Sequence, residues 1–475
     1  MCKTLILLYL RIIKNLNTPK SIIYFSIKRY RNRTFLIQPD DNILLSFDDF
    51  RNSLKDTILS LRRLGLHTGD VLGYSCFNSV DYFQIRAACH ILNIVFLGLP
   101  VNLPQQDIDY LLNKTKAKAL FKGKDIQILN SYHRGVEDSV LNSKVSTLNL
   151  SSGTTQRVPK IIQITHKNWV ESLYNYVLNS GENLNSKTVF LCKLPLVTAG
   201  STTFLPAMLA GITYVVVKEN ISSEELFNYI ETFNVTHLYV TPSSLIQFML
   251  WCRQNSQQPP PLKKIITGTE RFPTWKLKEA IEFFGPIIYV GYGMVEALPP
   301  ITMLTPRDYH KLDSVGRPVK GIRLKVLKDG RIAIKGRTVS FGYLDSPEDK
   351  IVHFEGNWFY SNDYGHLDKD GFLYIVGRGE DILTERPQRI FASEIEDMLY
   401  KLGFIENCAV IKKNNEVGIF VVLKPGADRE GSKRNIIKAI EVSSIKDIPV
   451  VIVIKDNLPI NYLGKLDRLT LSQEL

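Results

Sequence analysis

Three observations in the sequence predict an α/β protein. Before Gly316, short apolar strands alternate with amphipathic helices; after it, short strands are separated by Gly and Asp turns; residues 381–475 then read as a compact α+β tail. Strand–helix alternation of this kind implies parallel sheets with helices on both faces. Taking the elements in order, residues 46–66 place Leu54, Ile58, Leu61 and Leu64 at helical spacing, with Gly65 as the stop. Residues 70–74 form a buried strand, 79–92 a helix and 95–99 another strand. The rhythm returns at 190–194, 202–210 and 214–217, and again at 223–233, 238–240 and 245–251. Alternating strands follow at 322–327 and 331–335. The tail offers a helix at 393–402, strands at 408–412 and 418–423, and a helix near 433–442.

A chain of 475 residues exceeds one hydrophobic core and predicts two or three domains. Its 44% apolar and 22% charged residues are those of a folded globular protein, which excludes wholesale disorder. Apolar runs such as residues 22–25 fall far short of a membrane span, so any membrane association is peripheral. The net charge of +12 is local: residues 1–39 hold eight Lys or Arg and no acid. Two readings of residues 1–33 stay open, a solvated basic arm or leading helix and a cleaved cationic mitochondrial presequence. No basic stripe with interleaved aromatics follows, which argues against nucleic acid as a partner. Six scattered cysteines without a C-x-x-C pair fit a reducing compartment, the mitochondrial matrix or the cytoplasm.

Four segments carry chemistry. Residues 150–160 cluster Ser151, Ser152, Gly153, Thr154 and Thr155 ahead of Lys160. Short hydroxyls, backbone N–H groups and an ammonium together can cradle a polyphosphate, although the Walker pattern is absent. Residues 289–296 set Glu296 among glycines and apolar residues, a setting in which a carboxylate calls for a cation such as Mg²⁺. Asp363 offers paired acceptors for two ribose hydroxyls, and Arg378 is a fixed positive charge. Lys465 follows Gly464 in a terminal loop.

In order and spacing, these segments resemble the signature motifs of the adenylate-forming (AMP-binding) superfamily, in particular acyl-CoA synthetases and 4-coumarate–CoA ligases. Supporting blocks lie at residues 194–196, 234–242, 267–269, 314–318 and 342–343, so the similarity covers residues 34–475. The resemblance implies two αβαβα subdomains plus a distorted β-barrel over residues 34–379 and a small mobile α+β lid over 380–475. It implies adenylation of a carboxylic acid, fatty or aryl, by ATP with Mg²⁺, followed by thioester formation with CoA. Ser152, Gly153, Thr154, Thr155 and Lys160 would hold the phosphates, Gly268 and Tyr292 the nucleotide, and Glu296 the Mg²⁺. Asp363 and Arg378 would take the ribose, Lys465 would bridge carboxylate and α-phosphate, and Glu380 would be the hinge.

The sequence also departs from the family pattern. Gln156 and Ile161 replace glycines of the phosphate loop, and Val295 replaces a threonine. Asn362 replaces a glycine, Pro387 a glycine beside the pantetheine tunnel, and Thr198 a histidine. These changes motivate an alternative, a catalytically weakened nucleotide- or acyl-binding protein of the same fold.

Overall fold

Helices begin where the sequence supplies a cap. Ser46 opens the helix Phe47–Arg63: its hydroxyl accepts the Asp49 N–H, and the Asp49 carboxylate accepts the Ser46 N–H at 2.9 Å. Ser222 and Glu225 repeat the device at Ser223–Thr232. The computed structural model describes residues 16–129, 144–151, 159–179, 184–344, 353–356, 358–385, 389–459 and 466–475.

The chain divides into two compact units, one of Met1–Ser151, Lys160–Arg323 and Ile334–Phe359, the other including Leu324–Ala333 and Tyr360–Leu475. The first unit holds two large sheets. One has nine strands, and in it Thr34–Gln38, Thr213–Val216, Val189–Cys192, His237–Val240, Lys264–Gly268 and Ile288–Tyr292 run parallel in that spatial order. The other has seven strands, with Val145–Leu150, Val95–Gly98, Val71–Ser75 and Ala117–Lys122 parallel. The helices Val80–Leu92 and Phe204–Ala210 are buried along nearly their whole length. A helix without a polar face requires cover on all sides. One hydrophobic cluster supplies it, joining both helices to Leu36, Phe190 and Tyr214 of the first sheet and Leu72, Phe96 and Ile162 of the second.

Part of the N-terminal segment is helical. Thr18 caps a helix, Pro19–Tyr30, whose Ile22 and Ile23 are fully buried in that cluster. The Tyr30 hydroxyl donates to the Leu209 carbonyl at 3.1 Å. Each buried isoleucine contributes about 2 kcal/mol of transfer free energy. The helix Pro19–Tyr30 thus packs Ile22, Ile23 and Ile27 into the core; residues 1–15 lie outside the described residues. The chain changes unit inside the strands Ile322–Val326, Arg331–Gly336 and Trp358–Leu367.

The second unit contains the expected α+β tail. Strands Ile405–Lys413, Glu416–Leu423 and Val450–Lys455 form one sheet. Helices Ala392–Tyr400 and Arg429–Glu441 bury Ile395, Leu399, Ile436 and Ile440 with Val410, Ile419 and Val421.

Candidate active site

Ligands of open α/β sheets bind beyond the carboxyl ends of parallel strands, and two neighbouring strands end here in facing glycines. Gly268 and Gly291 are register partners, and a Cβ on Gly268 would stand 2.4 Å from the Gly291 carbonyl oxygen. Only glycine permits that approach. The result is a wall without side chains, followed directly by Tyr292. Next to it the hydroxyls of Thr267 and Thr269 are buried and make no hydrogen bond among the described residues. Bare backbone and orphaned hydroxyls suit a planar heterocycle with polar edges.

The strand Ile161–Thr165 brings the other groups together. The Ser151 N–H donates to the Lys160 carbonyl at 2.8 Å, and the Lys160 N–H to the Ser151 hydroxyl at 2.9 Å. Ser151 and Lys160 are thereby pinned to each other. Tyr343 pairs with Ile162 on the neighbouring strand Gly342–Tyr343. Its ring centroid lies 5.1 Å from the Lys160 ammonium, and its hydroxyl donates to Glu296 Oε1 at 3.0 Å. Glu296 sits on the turn Val295–Ala297, fixed by Ser340 donating to its backbone carbonyl at 2.8 Å. The structure thus places Lys160 and Glu296 on the two sides of one tyrosine. Ser152, Gly153, Thr154 and Thr155 lie outside the described residues, as do Lys465 and Pro387.

No group of three His, Cys, Asp or Glu side chains that could hold a metal occurs among the described residues. Glu296 is a single hard ligand, and a cation there would complete its shell with phosphate and water oxygens. That donor set fits Mg²⁺ accompanying a nucleotide. Val295 is packed against the apolar core and brings no hydroxyl to the site.

In the second unit, Asp363 and Arg378 face each other in register across the strands Trp358–Leu367 and Leu373–Arg378. Their charged groups are 3.3 Å apart. Arg378 also reaches Glu380 at 3.9 Å, and the Asn362 amide donates to Glu380 at 2.6 Å. Asn362, where a glycine was expected, therefore ties the Glu380 carboxylate to the strand that carries Asp363. A Cβ on Gly379 would meet Asn362 Oδ1 at 2.4 Å, so Gly379 is the complement of that side chain. Arg468 bridges Asp381 at 3.5 Å and Glu396 at 3.1 Å. Burial would lower the Arg468 pKa, but the two carboxylates outweigh it and raise it. Burial raises Asp381 against the pull of Arg468.

Sequence reasoning did not single out Tyr343, which appears in it only as part of the block 342–343. A tyrosine has no spacing signature, and only the pairing of its strand with 161–165 reveals the role. Arg86 was also missed. It is 1% exposed, its guanidinium nitrogens make no hydrogen bond among the described residues, and it lies 4.6 Å from the ring centroids of both Phe96 and Trp169.

The family model described as "AMP-binding enzyme" matches residues 135–344. Over those residues the chain carries an AMP-binding enzyme domain. Among curated relatives, 2-succinylbenzoate–CoA ligase of Oceanobacillus iheyensis is 27% identical over 460 residues, 91% of this chain and 95% of the relative. The same-named enzyme of Geobacillus kaustophilus is 25% identical, covering 86% and 88%. Among solved structures, O-succinylbenzoate coenzyme A synthetase from Bacillus subtilis in complex with AMP superposes with a TM-score of 0.80 at 22% identity, covering 95% and 97%. Anthranilate CoA ligase in complex with anthranoyl-AMP gives 0.83 at 20%, covering 96% and 97%. These structures share the fold of a large N-terminal and a smaller C-terminal part.

Proposed function

We propose that this protein is an ATP-dependent acid–thiol ligase that activates an aryl carboxylic acid as its acyl-adenylate and then forms the CoA thioester. The observation that carries the reading is the Lys160–Tyr343–Glu296 cluster, with Glu296 on the turn that follows the glycine-bearing strand Ile288–Tyr292. A substrate carboxylate oxygen attacks the α-phosphorus of ATP, forming the acyl–phosphate bond and expelling pyrophosphate. The CoA thiolate then attacks the acyl carbon and releases AMP. Mg²⁺, when bound, neutralises charge building on the departing pyrophosphate.

Within that sequence Glu296 would hold the metal, its carboxylate oriented by the Tyr343 hydroxyl. Lys160, with Ser152, Gly153, Thr154 and Thr155, holds the β- and γ-phosphates. Gly268 and Tyr292 flank the base. Asp363 accepts the ribose hydroxyls, with Arg378 beside it to orient the carboxylate. Lys465 bridges the carboxylate and α-phosphate as charge develops, and rotation at Glu380 removes it for the thioester step.

The relatives' names favour an aryl acid, with 2-succinylbenzoate as the first candidate. The fatty-acid side of the initial expectation finds no support in those names. Neither does the weakened binding protein, since the Oceanobacillus and Geobacillus relatives are named as ligases. The decisive measurement is ATP–pyrophosphate exchange driven by 2-succinylbenzoate, benzoate and a medium-chain fatty acid, with Lys465→Ala as control. Exchange with 2-succinylbenzoate followed by thioester formation on adding CoA is expected. Absence of exchange with every acid would remove the ligase reading.

A further inference from the structure

The first unit holds a cavity of 1080 Å³ whose lining includes Thr165, His166, Lys167, Arg323, Lys335, Arg337 and Ser340. Its lining contains none of Lys160, Glu296 and Tyr343. The strand Ile161–Thr165 starts beside Lys160 and ends at the cavity, five residues or roughly 16 Å away. Its charge is one-sided: Lys144, Lys167, Arg323, Lys335 and Arg337 line it against the single acid Glu355. His166 adds no charge at neutral pH, because burial and the nearby Arg86 push it down to about 4.

The cations surround the N-terminus of the helix His166–Asn179, which has no acid in its first turn. The Thr165 hydroxyl accepts the Asn168 N–H at 3.2 Å, so the N–H groups of His166 and Lys167 are left among the helix's orphan donors. Placing Lys167 at the positive end of the helix dipole is unfavourable unless an anion offsets it. The wall is built rather than loose. Asn168, itself buried, donates to the carbonyls of Arg337 at 2.8 Å and Val339 at 2.9 Å. Glu171 holds the Arg337 guanidinium at 3.1 Å. The Ser340 side chain is 7% exposed, and its hydroxyl has no hydrogen-bond partner among the described residues. Phe354 and Trp358 supply flat apolar surface, and Lys335 lies 5.6 Å from the Trp358 ring centroid.

We propose that this cavity is a second anion site that binds a ring-bearing phosphate ester, with the phosphate at the N-terminus of helix His166–Asn179 between Lys167, Arg323 and Lys335, and the ring against Trp358 and Phe354. Such chemistry is carried equally by a free nucleotide and by the nucleotide end of a larger cosubstrate. Helix N-terminus, cations and aromatic wall each recognise one part of it.

The probe is adenosine 3′,5′-bisphosphate, titrated calorimetrically into the full chain whose active site is saturated with a sulfamoyl analogue of the acyl-adenylate. One equivalent is expected to bind, weakening with salt as charge contacts do. Lys167→Glu should lower affinity by about tenfold or more, the scale of one lost charge-assisted contact. The same change puts an acid at the helix N-terminus, so thermal stability should hold or rise, which separates lost binding from lost folding. Arg323→Ser with Lys335→Ser should have the same effect on binding while pyrophosphate exchange stays at the parental rate. Coenzyme A competing with the probe in the parent but not in Lys167→Glu would identify the cosubstrate as the source; binding of the free nucleotide without such competition would identify an independent effector. Unchanged affinity in both variants, or inorganic pyrophosphate binding as tightly as the bisphosphate, would overturn the proposal. Since exchange is measured separately, that result would leave the ligase reading intact.

Discussion

Replacing Tyr343 with Phe removes one atom from the candidate site and little else. The ring that faces Lys160 at 5.1 Å is kept, while the hydroxyl that donates to Glu296 at 3.0 Å is lost. Tyr343 is 8% exposed, so water does not readily replace the missing donor. A hydrogen bond to a charged group is worth about 1.5–3 kcal/mol, and each 1.36 kcal/mol is a factor of ten in rate. If the bond is needed to aim Glu296 at the metal, the variant should lose about 10- to 150-fold in kcat/KM for carboxylate-driven pyrophosphate exchange. The loss should shrink as Mg²⁺ is raised, because added metal compensates for a poorly oriented ligand. Tyr343→Ala should cost more, since Lys160 then also loses its aromatic neighbour. Glu296→Gln should leave the exchange rate insensitive to the Tyr343 change. A folded Tyr343→Phe protein with the parental exchange rate at limiting Mg²⁺ would refute this account of Glu296.

The other expectations concern the core, the hinge and pH. Arg86 is fully buried between two aromatic rings without a paired acid among the described residues. Arg86→Met should raise unfolding free energy by on the order of 2 kcal/mol, because desolvation of the charge outweighs its cation–π contacts; a lower urea midpoint would contradict this. Ile23→Ala should cost about 2–5 kcal/mol, read by the same urea titration, and a neutral result would detach the N-terminal helix from the core. For His166, burial and Arg86 take the pKa from 6.5 to about 4. Between those values the unfolded chain binds more protons, so stability falls as pH drops through that window, by on the order of 3 kcal/mol for this residue. His166→Phe should flatten the stability–pH curve there, and identical slopes would exclude the residue as the cause. Asn362→Gly frees Glu380 from its 2.6 Å hydrogen bond. It should alter thioester formation more than pyrophosphate exchange, and equal effects on both steps would separate Asn362 from the hinge.

Local pattern gave most of the elements because their periods are long and their caps explicit. The helix expected at 46–66 is Phe47–Arg63, and that at 79–92 is Val80–Leu92. The strand at 190–194 is Val189–Cys192. What pattern did not convey is partnership across long separations. Asp363 and Arg378 were each singled out by chemistry, yet only the antiparallel register pairs them. Tyr343 reaches Glu296 across 47 residues of sequence, with no local signal at either end. The cationic residues 18–33 show the same limit of composition. Basic composition describes the exposed face of Pro19–Tyr30, whereas Ile22, Ile23 and Ile27 on its other face belong to the core. Arg86 runs against the rule that buried charges are paired, and no sequence pattern announces such an exception.

The docking of Pro19–Tyr30 also sets an order of events during synthesis. Tyr30 bonds to Leu209, 179 residues further on, and the next strand, Thr34–Gln38, pairs with Thr213–Val216. At about 5–20 residues per second, the first helix waits roughly 10 to 35 s before its partner leaves the ribosome. For that interval a sticky isoleucine face stands next to Lys28, Arg29, Arg31 and Arg33. Charges flanking an apolar face act as gatekeepers against aggregation while the chain is incomplete, and these four stand in that position.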